Sequence, residues 1–164
     1  MSMLCYVLGV SPEQIRALRA DPSLATGVAV GDGDVRKLGQ LQEPLDLHKS
    51  WHMLHYLFTG SLDETRSSGA ALLSGEELGE DLGYGPVRLH GEKATAEFAR
   101  FLQGLDADDL VARMDIGAMA NAGVYSVSDD DEDLREDVAH FFPQLRDYVV
   151  QVAQKQGGLL VWLT

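Results

Sequence analysis

The sequence predicts an α+β fold in one compact domain that covers residues 1–164, with a small sheet and several helices packed on it. Short apolar runs rich in β-forming residues stand near both ends of the chain, at 4–10 and 159–163. Between them, helical patterns outnumber strand patterns, and no repeat or low-complexity linker divides the chain. We therefore expect the sheet to include both terminal strands, lying side by side.

The first strand is followed directly by a helix. Ser11 is the predicted N-cap, Pro12 fits the first turn, and Gln14 stands where it completes a capping box. This helix is expected to stop before Asp21. Residues 23–35 are rich in Gly and Asp, which predicts a loop.

The strongest helical pattern covers residues 46–59. Asp46 is the predicted N-cap, and Gly60 is the predicted stop. Apolar side chains recur at intervals of three or four residues and form one stripe; they are Leu47, Trp51, Leu54 and Phe58. We expect this helix to be a scaffold whose Trp51 indole is wedged into the interior.

The second half of the chain is predicted to hold a further strand and three helices. In chain order these elements are a surface loop at 61–70, a turn and strand at 84–89, and helices at 93–105, 108–114 and 134–152. Pro143 should kink or restart the last helix. The glycine pair at 157–158 should end that helix before the closing strand.

The charge balance excludes several partners. Thirteen basic and 26 acidic residues give a net charge of −13. A nucleic-acid partner needs a basic surface that releases counterions, so nucleic-acid binding is not expected. An anionic membrane surface is disfavoured for the same reason, and no apolar run approaches the ~20 residues of a membrane span.

Cysteine usage and the first residues of the chain predict a reducing compartment. The only cysteine, Cys5, cannot form an internal disulfide, and inside an apolar strand its thiol should be inert. The N-terminal residues lack a basic region followed by a long apolar stretch and a cleavage site. We therefore expect a cytoplasmic protein.

Acidic residues are concentrated between Asp106 and Asp137, where eleven acidic and two basic side chains give a net −9. This segment contains an uninterrupted acidic run made of Asp129, Asp130, Asp131, Glu132 and Asp133. The run lacks the ligand spacing and turn glycine of a calcium-binding loop. It is a solubilising face, a surface that attracts a basic protein partner, or a weak divalent-cation site.

Three histidines, His48, His52 and His55, would share one narrow strip of the predicted helix. The spacing of His48 and His52 is that of a zinc-binding pair, but Lys49 stands where a metalloprotease has its general-base Glu. No fourth ligand is near in sequence. We favour histidines bonded to backbone or carboxylates beside the core, so no metal and no cofactor is predicted. The metal site and a polar pocket around His55 stay as alternatives.

No catalytic residue is predicted. The serines lack a Gly-x-Ser-x-Gly elbow, and no carboxylate stands in an apolar context that would clearly raise its pKa. A small-molecule pocket remains possible on residue type, and its candidate residues are Lys49, Trp51, His55, Tyr84 and Arg88. Core packing of Trp51 and loop anchoring by Tyr84 are the simpler interpretations.

Two segments carry a resemblance to a known family. Residues 45–60, LDLHKSWHMLHYLFTG, resemble a signature of the YfbM-like family of bacterial proteins, a domain of unknown function numbered 1877. Residues 82–88, LGYGPVR, resemble a second stretch found in many members. Tyr125 also fits, although Ser126 stands where the family pattern commonly has proline. The resemblance covers nearly the whole chain.

The resemblance implies an α+β domain in the bacterial cytoplasm and brings no activity with it. The positions that match the signature are Asp46, Lys49, Trp51, His55, Thr59 and Gly60. His48 and His52 are not required by it, which weakens the hypothesis of a three-histidine metal site.

The leading hypothesis is a non-enzymatic binding or interaction protein that presents its acidic region to a basic protein partner. The alternative is a small-molecule-binding enzyme or sensor with a pocket built around Trp51, His55 and Tyr84. That alternative predicts that the three side chains converge on one concave cavity open to solvent.

Overall fold

The computed structural model describes residues 2–164 and contains a five-stranded antiparallel sheet in the order β2-β1-β5-β4-β3. The strands are β1 (Cys5–Val10), β2 (Leu45–Asp46), β3 (Glu76–Leu78), β4 (Val87–His90) and β5 (Gly158–Leu163). The terminal strands pair along their full lengths, from Cys5 opposite Leu163 to Val10 opposite Gly158. The predicted α+β class and the adjacent terminal strands are confirmed.

Seven α-helices lie within residues 2–164, together with a short 3-10 helix at Val35–Leu38. They are α1 (Pro12–Ala20), α2 (Ser23–Val30), α3 (Trp51–Thr59), α4 (Glu92–Gln103), α5 (Ala107–Ala112), α6 (Ile116–Ala122) and α7 (Leu134–Gln154). None of the helices in this part of the chain combines the length and the apolar character that crossing a bilayer requires.

Strand β5 lies at the centre of the sheet, and all of its residues are buried. Because side chains alternate along a strand, it contributes to two separate cores. Leu159 and Val161 belong to the larger core, with residues of α3 to α7. Leu160 and Trp162 belong to the smaller core, with residues of α1 and α2. The continuous apolar run of β5 is therefore explained by burial on both faces.

The capping box of α1 forms as the sequence predicts. The Ser11 hydroxyl accepts the Gln14 backbone N–H at 3.1 Å, and the Gln14 side-chain oxygen accepts the Ser11 N–H at 2.8 Å. The helices predicted near α4 and α5 are also present, with boundaries shifted by one or two residues.

The loop predicted over residues 23–35 is wrong, because Ser23–Val30 form α2. Leu24 and Ala25 are buried in the smaller core, and that burial outweighs the weak helix propensity of the segment. Gly27 permits the close return of the chain after α2, since a Cβ there would lie 2.4 Å from the Asp32 carbonyl oxygen.

The central helix begins later than predicted. Asp46 is the last residue of β2, opposite Tyr6 of β1, so its assignment as the helix N-cap is wrong. Its carboxylate instead accepts the His48 N–H at 2.8 Å and stabilises the turn at residues 47–50 that leads into α3. Gly60 ends α3 as predicted, with a left-handed φ of 71°.

The sequence predicted no helix over residues 116–122, where α6 forms. Both end signals are present, because the Asp115 carboxylate accepts the Ala118 N–H and Gly123 adopts a φ of 90°. Helix α7 continues through Pro143, so the predicted restart does not occur. Pro143 has no N–H to donate to the carbonyl of Ala139, one turn earlier in the helix. Ala139 is exposed, so water can bind that carbonyl.

We expect Gly158→Ala to destabilise the protein. A Cβ at Gly158 would lie 2.4 Å from the His90 carbonyl oxygen, which is backbone and cannot swing away. Overpacking of this kind lowers the free energy of unfolding by about 1–3 kcal/mol. Gly104→Ala is the control, since its nearest atom would be at 3.5 Å. Urea denaturation measures both variants, and equal midpoints would contradict the packing described here.

Candidate functional site

Helix α3 carries two of the three candidate histidines into the interior and leaves the third outside. His52 and His55 are buried, whereas His48 is exposed on the turn before the helix, with a φ of 49°. The predicted strip of three imidazoles on one helix does not form, because α3 begins at Trp51. Within residues 2–164, no three His, Cys, Asp or Glu side chains are grouped so that they could hold a metal ion.

The rings of α3 bond to the backbone of distant segments. The Trp51 indole N–H donates to the Met3 carbonyl at 3.1 Å. The His52 Nε2–H donates to the Leu62 carbonyl at 2.8 Å, and its Nδ1 accepts the Tyr125 N–H at 2.8 Å. These two bonds fix the neutral tautomer of His52 with its proton on Nε2. Trp51 therefore acts as the predicted wedge, and His52 joins two loops.

His55 is fully buried, and one of its ring nitrogens is bonded. Its Nε2–H donates to the Asp63 carbonyl at 2.8 Å, while Nδ1 has no hydrogen-bond partner within the described residues. Burial lowers the pKa of His55, and the bond to Asp63 opposes that effect. The ring is a structural tie between α3 and the loop after it.

Cys5 is buried in β1, as the sequence predicted. Burial raises the pKa of the thiol far above its ordinary value, and the nearby Asp46 carboxylate acts in the same direction. The thiol therefore stays protonated and unreactive at neutral pH.

A cavity of about 390 Å³ lies between the turn before α3 and the start of α7. We call it the α3–α7 cavity. Side chains from four parts of the chain line it; they are Leu4, His48, Lys49, Ser50, Met53, Tyr125, Ser126, Asp131, Leu134, Asp137 and Phe141. Its lining combines apolar side chains with charges of both signs.

Three charged side chains of the α3–α7 cavity have no ion-pair partner within residues 2–164, namely Lys49, Asp131 and Asp137. Burial raises the pKa of Asp137, and the neighbouring Asp131 and Asp133 carboxylates raise it further. His48 is already engaged, because its ring lies 3.6 Å from the Asp46 carboxylate. Lys49 is thus the one unpaired cation among the described residues that line the cavity.

Two residues of the lining adopt left-handed backbone conformations, His48 with a φ of 49° and Ser126 with a φ of 63°. Such conformations are uncommon outside glycine and persist where the surroundings enforce them.

The five residues of the predicted small-molecule pocket do not share this cavity. Lys49 lines it, whereas Trp51 and His55 do not; both are buried and make the contacts described above. Tyr84 lies in a loop whose turn is held by the Asp81 carboxylate, which accepts two backbone N–H groups at 2.7 and 3.2 Å. Arg88 lies on β4, opposite Glu77 of β3.

The acidic run meets the cavity at one residue. Asp131 lines the cavity and is half-buried, while Asp129, Asp130, Glu132 and Asp133 are exposed around it. Asp137 lies within the acidic segment, but no motif in the sequence distinguishes it from the other carboxylates there. No sequence signal placed Asp131 and Asp137 near Lys49, since the segments that carry them are far apart in the chain.

Lowering the pH should destabilise the fold through its buried histidines. The folded-state pKa values of His55 and His90 lie below the ordinary value of about 6.5, so below that pH the unfolded chain binds more protons. Their stabilising contribution is therefore present above about pH 6.5 and is lost as the pH falls through the folded-state pKa values. The free energy of unfolding should decrease between about pH 7.5 and pH 5.5.

The variant His55→Gln removes one of these titrating groups and should make the decrease smaller. His140→Gln is the control, because His140 is exposed on α7. Urea unfolding at each pH gives both values. An unchanged decrease in His55→Gln, or an equal change in His140→Gln, would show that burial of His55 does not cause the pH dependence.

Comparison with known proteins places the chain in a family. Among solved structures, it is similar to that of YfbM from Escherichia coli, a protein of unknown function, with a TM-score of 0.67 and 17% identity. The match covers 98% of this chain and 99% of that one, and at this identity it shows the fold alone. A search of the curated proteins finds no match. One family model, described as a domain of unknown function (DUF1877), matches residues 1–162. The chain belongs to this family.

Proposed function

We propose that this protein is a single-domain binding module of the cytoplasm, without enzymatic activity, whose acidic face receives a basic protein partner. The acidic face consists of the run Asp129, Asp130, Asp131, Glu132 and Asp133 and of the adjoining Asp137. A surface of this sign attracts Lys-rich and Arg-rich partners and repels nucleic acids.

The observation that carries the proposal is uncompensated negative charge. No side chain between Asp106 and Asp137 forms an ion pair within residues 2–164, although this segment holds eleven acidic residues. Burial is the largest cause of the raised pKa of Asp137, and the neighbouring carboxylates of Asp131 and Asp133 add a repulsion that further disfavours its ionised form. Basic side chains of a partner would relieve this repulsion and gain the attraction.

The small-molecule alternative required Trp51, His55 and Tyr84 to line one cavity. None of the three lines the α3–α7 cavity. Only Lys49 of its candidate residues lies there. We therefore favour the partner-binding function.

The test is a pull-down from a lysate of the source cells, with a variant that neutralises four exposed charges of the acidic face. The substitutions are Asp129→Asn, Asp130→Asn, Glu132→Gln and Asp133→Asn. We expect a protein that the wild type retains at about 0.1 M salt and releases at about 1 M, where the Debye length falls from about 10 to about 3 Å. The variant should not retain that protein.

A matched variant controls for net charge alone. It neutralises four exposed carboxylates elsewhere, none of which forms an ion pair within the described residues; the substitutions are Glu43→Gln, Glu64→Gln, Glu77→Gln and Glu80→Gln. This control should retain the protein as the wild type does. Binding that ignores salt, or that both variants lose equally, would refute the acidic face as the docking surface.

A further inference from the structure

We propose that the α3–α7 cavity binds a free basic amino acid, of the arginine and lysine class, as a small-molecule ligand. Such a ligand carries one carboxylate, one α-ammonium group and a cationic head on a methylene stem. Each of these parts has a counterpart among the residues that line the cavity. The site is separate from the four exposed charges that the pull-down variant removes.

The charges of the cavity match those of the ligand in number and sign. Lys49 supplies one cation, and Asp131 and Asp137 supply two anions. None of the three forms an ion pair within the described part of the chain. A basic amino acid has one negative and two positive groups, so it can satisfy all three side chains. One oxygen of Asp131 also accepts the Asp133 N–H at 3.0 Å, which holds that carboxylate in place.

The apolar part of the lining suits a methylene stem. Met53 and Leu134 are buried, and Phe141 is half-buried, so their side chains offer an apolar surface beside the charged groups. Basic side chains lay their methylene groups on such surfaces and keep the charged head on polar partners. The volume of about 390 Å³ lies in the range of small-ligand sites, roughly 300–1,000 Å³.

Lys49 distinguishes a free amino acid from a basic residue inside a protein chain. A residue within a chain offers Lys49 only a neutral amide carbonyl, whereas a free amino acid offers a carboxylate. The Lys49 ammonium is charged in both cases, but a carboxylate adds a full opposite charge, and two opposite charges attract each other more strongly than a charge attracts a neutral carbonyl. The cation at Lys49 therefore favours the free ligand, and a partner residue at the same place is an outcome that the experiment can detect.

The experiment is calorimetric titration of the purified full chain with L-arginine and two analogues. Agmatine lacks the carboxylate, and L-norleucine lacks the cationic head. We expect saturable binding of L-arginine, and binding of each analogue that is about tenfold weaker or more, as the loss of a charged contact predicts. N-acetyl-arginine amide, which stands for a residue in a chain, should bind more weakly than agmatine, because it lacks the α-ammonium group as well as the carboxylate.

Two variants assign the contacts. Lys49→Met should weaken L-arginine binding about tenfold and leave agmatine binding unchanged, because the carboxylate and Lys49 form one interaction. Asp137→Asn should weaken L-arginine and agmatine alike. Asp108→Asn is the matched control, since it removes the same charge from an exposed position outside the cavity and outside the acidic face and should leave all affinities unchanged.

Three results would overturn the inference: no saturable binding of L-arginine, equal binding of L-arginine and N-acetyl-arginine amide, or an equal loss in Asp108→Asn and Asp137→Asn. Equal binding of the amide would assign the cavity to a residue of a protein partner. Because the titration contains no protein partner, its failure leaves the partner-binding function to be decided by the pull-down alone.

Discussion

The side chains of α3 satisfy backbone groups of three distant segments, and the geometry of the candidate site depends on those bonds. The Trp51 side chain is hydrogen-bonded to the Met3 backbone, and the His52 ring is hydrogen-bonded to the backbone of both Leu62 and Tyr125. A buried backbone group that loses its partner costs about 1–3 kcal/mol, so each bond strongly favours one arrangement of these loops. The wall of the cavity near Tyr125 is therefore positioned by a histidine that itself lies in the interior.

The fold was predictable where one local signal decided the structure. The apolar runs at both ends gave the terminal strands, and the capping box of Ser11 and Gln14 gave the start of α1. Prediction failed where distant contacts decided. Strand pairing opposite Tyr6 keeps Asp46 extended despite its capping residue type, and burial against the sheet makes a helix of the Gly-containing segment Ser23–Val30.

The candidate site was less predictable than the fold. Residue type and motif position singled out Lys49, and charge density singled out Asp131, but periodicity could not show that the two line one cavity. The expected strip of histidines required a helix that includes His48. His48 instead lies in the turn stabilised by the Asp46 carboxylate, so the strip does not form. The left-handed conformation of Ser126 has no local sequence signal.

The position of β5 has a consequence for synthesis of the protein on the ribosome. β1 and β4 are not neighbours in the sheet; each pairs with β5, which begins at Gly158. A nascent chain that has grown only to residue 157 can form its helices, but the sheet cannot close and both apolar faces lack their central strand. Translation must therefore pass Leu163, the last residue of β5, before both cores can be completed, and until then the apolar residues that pack against β5 lack their partners.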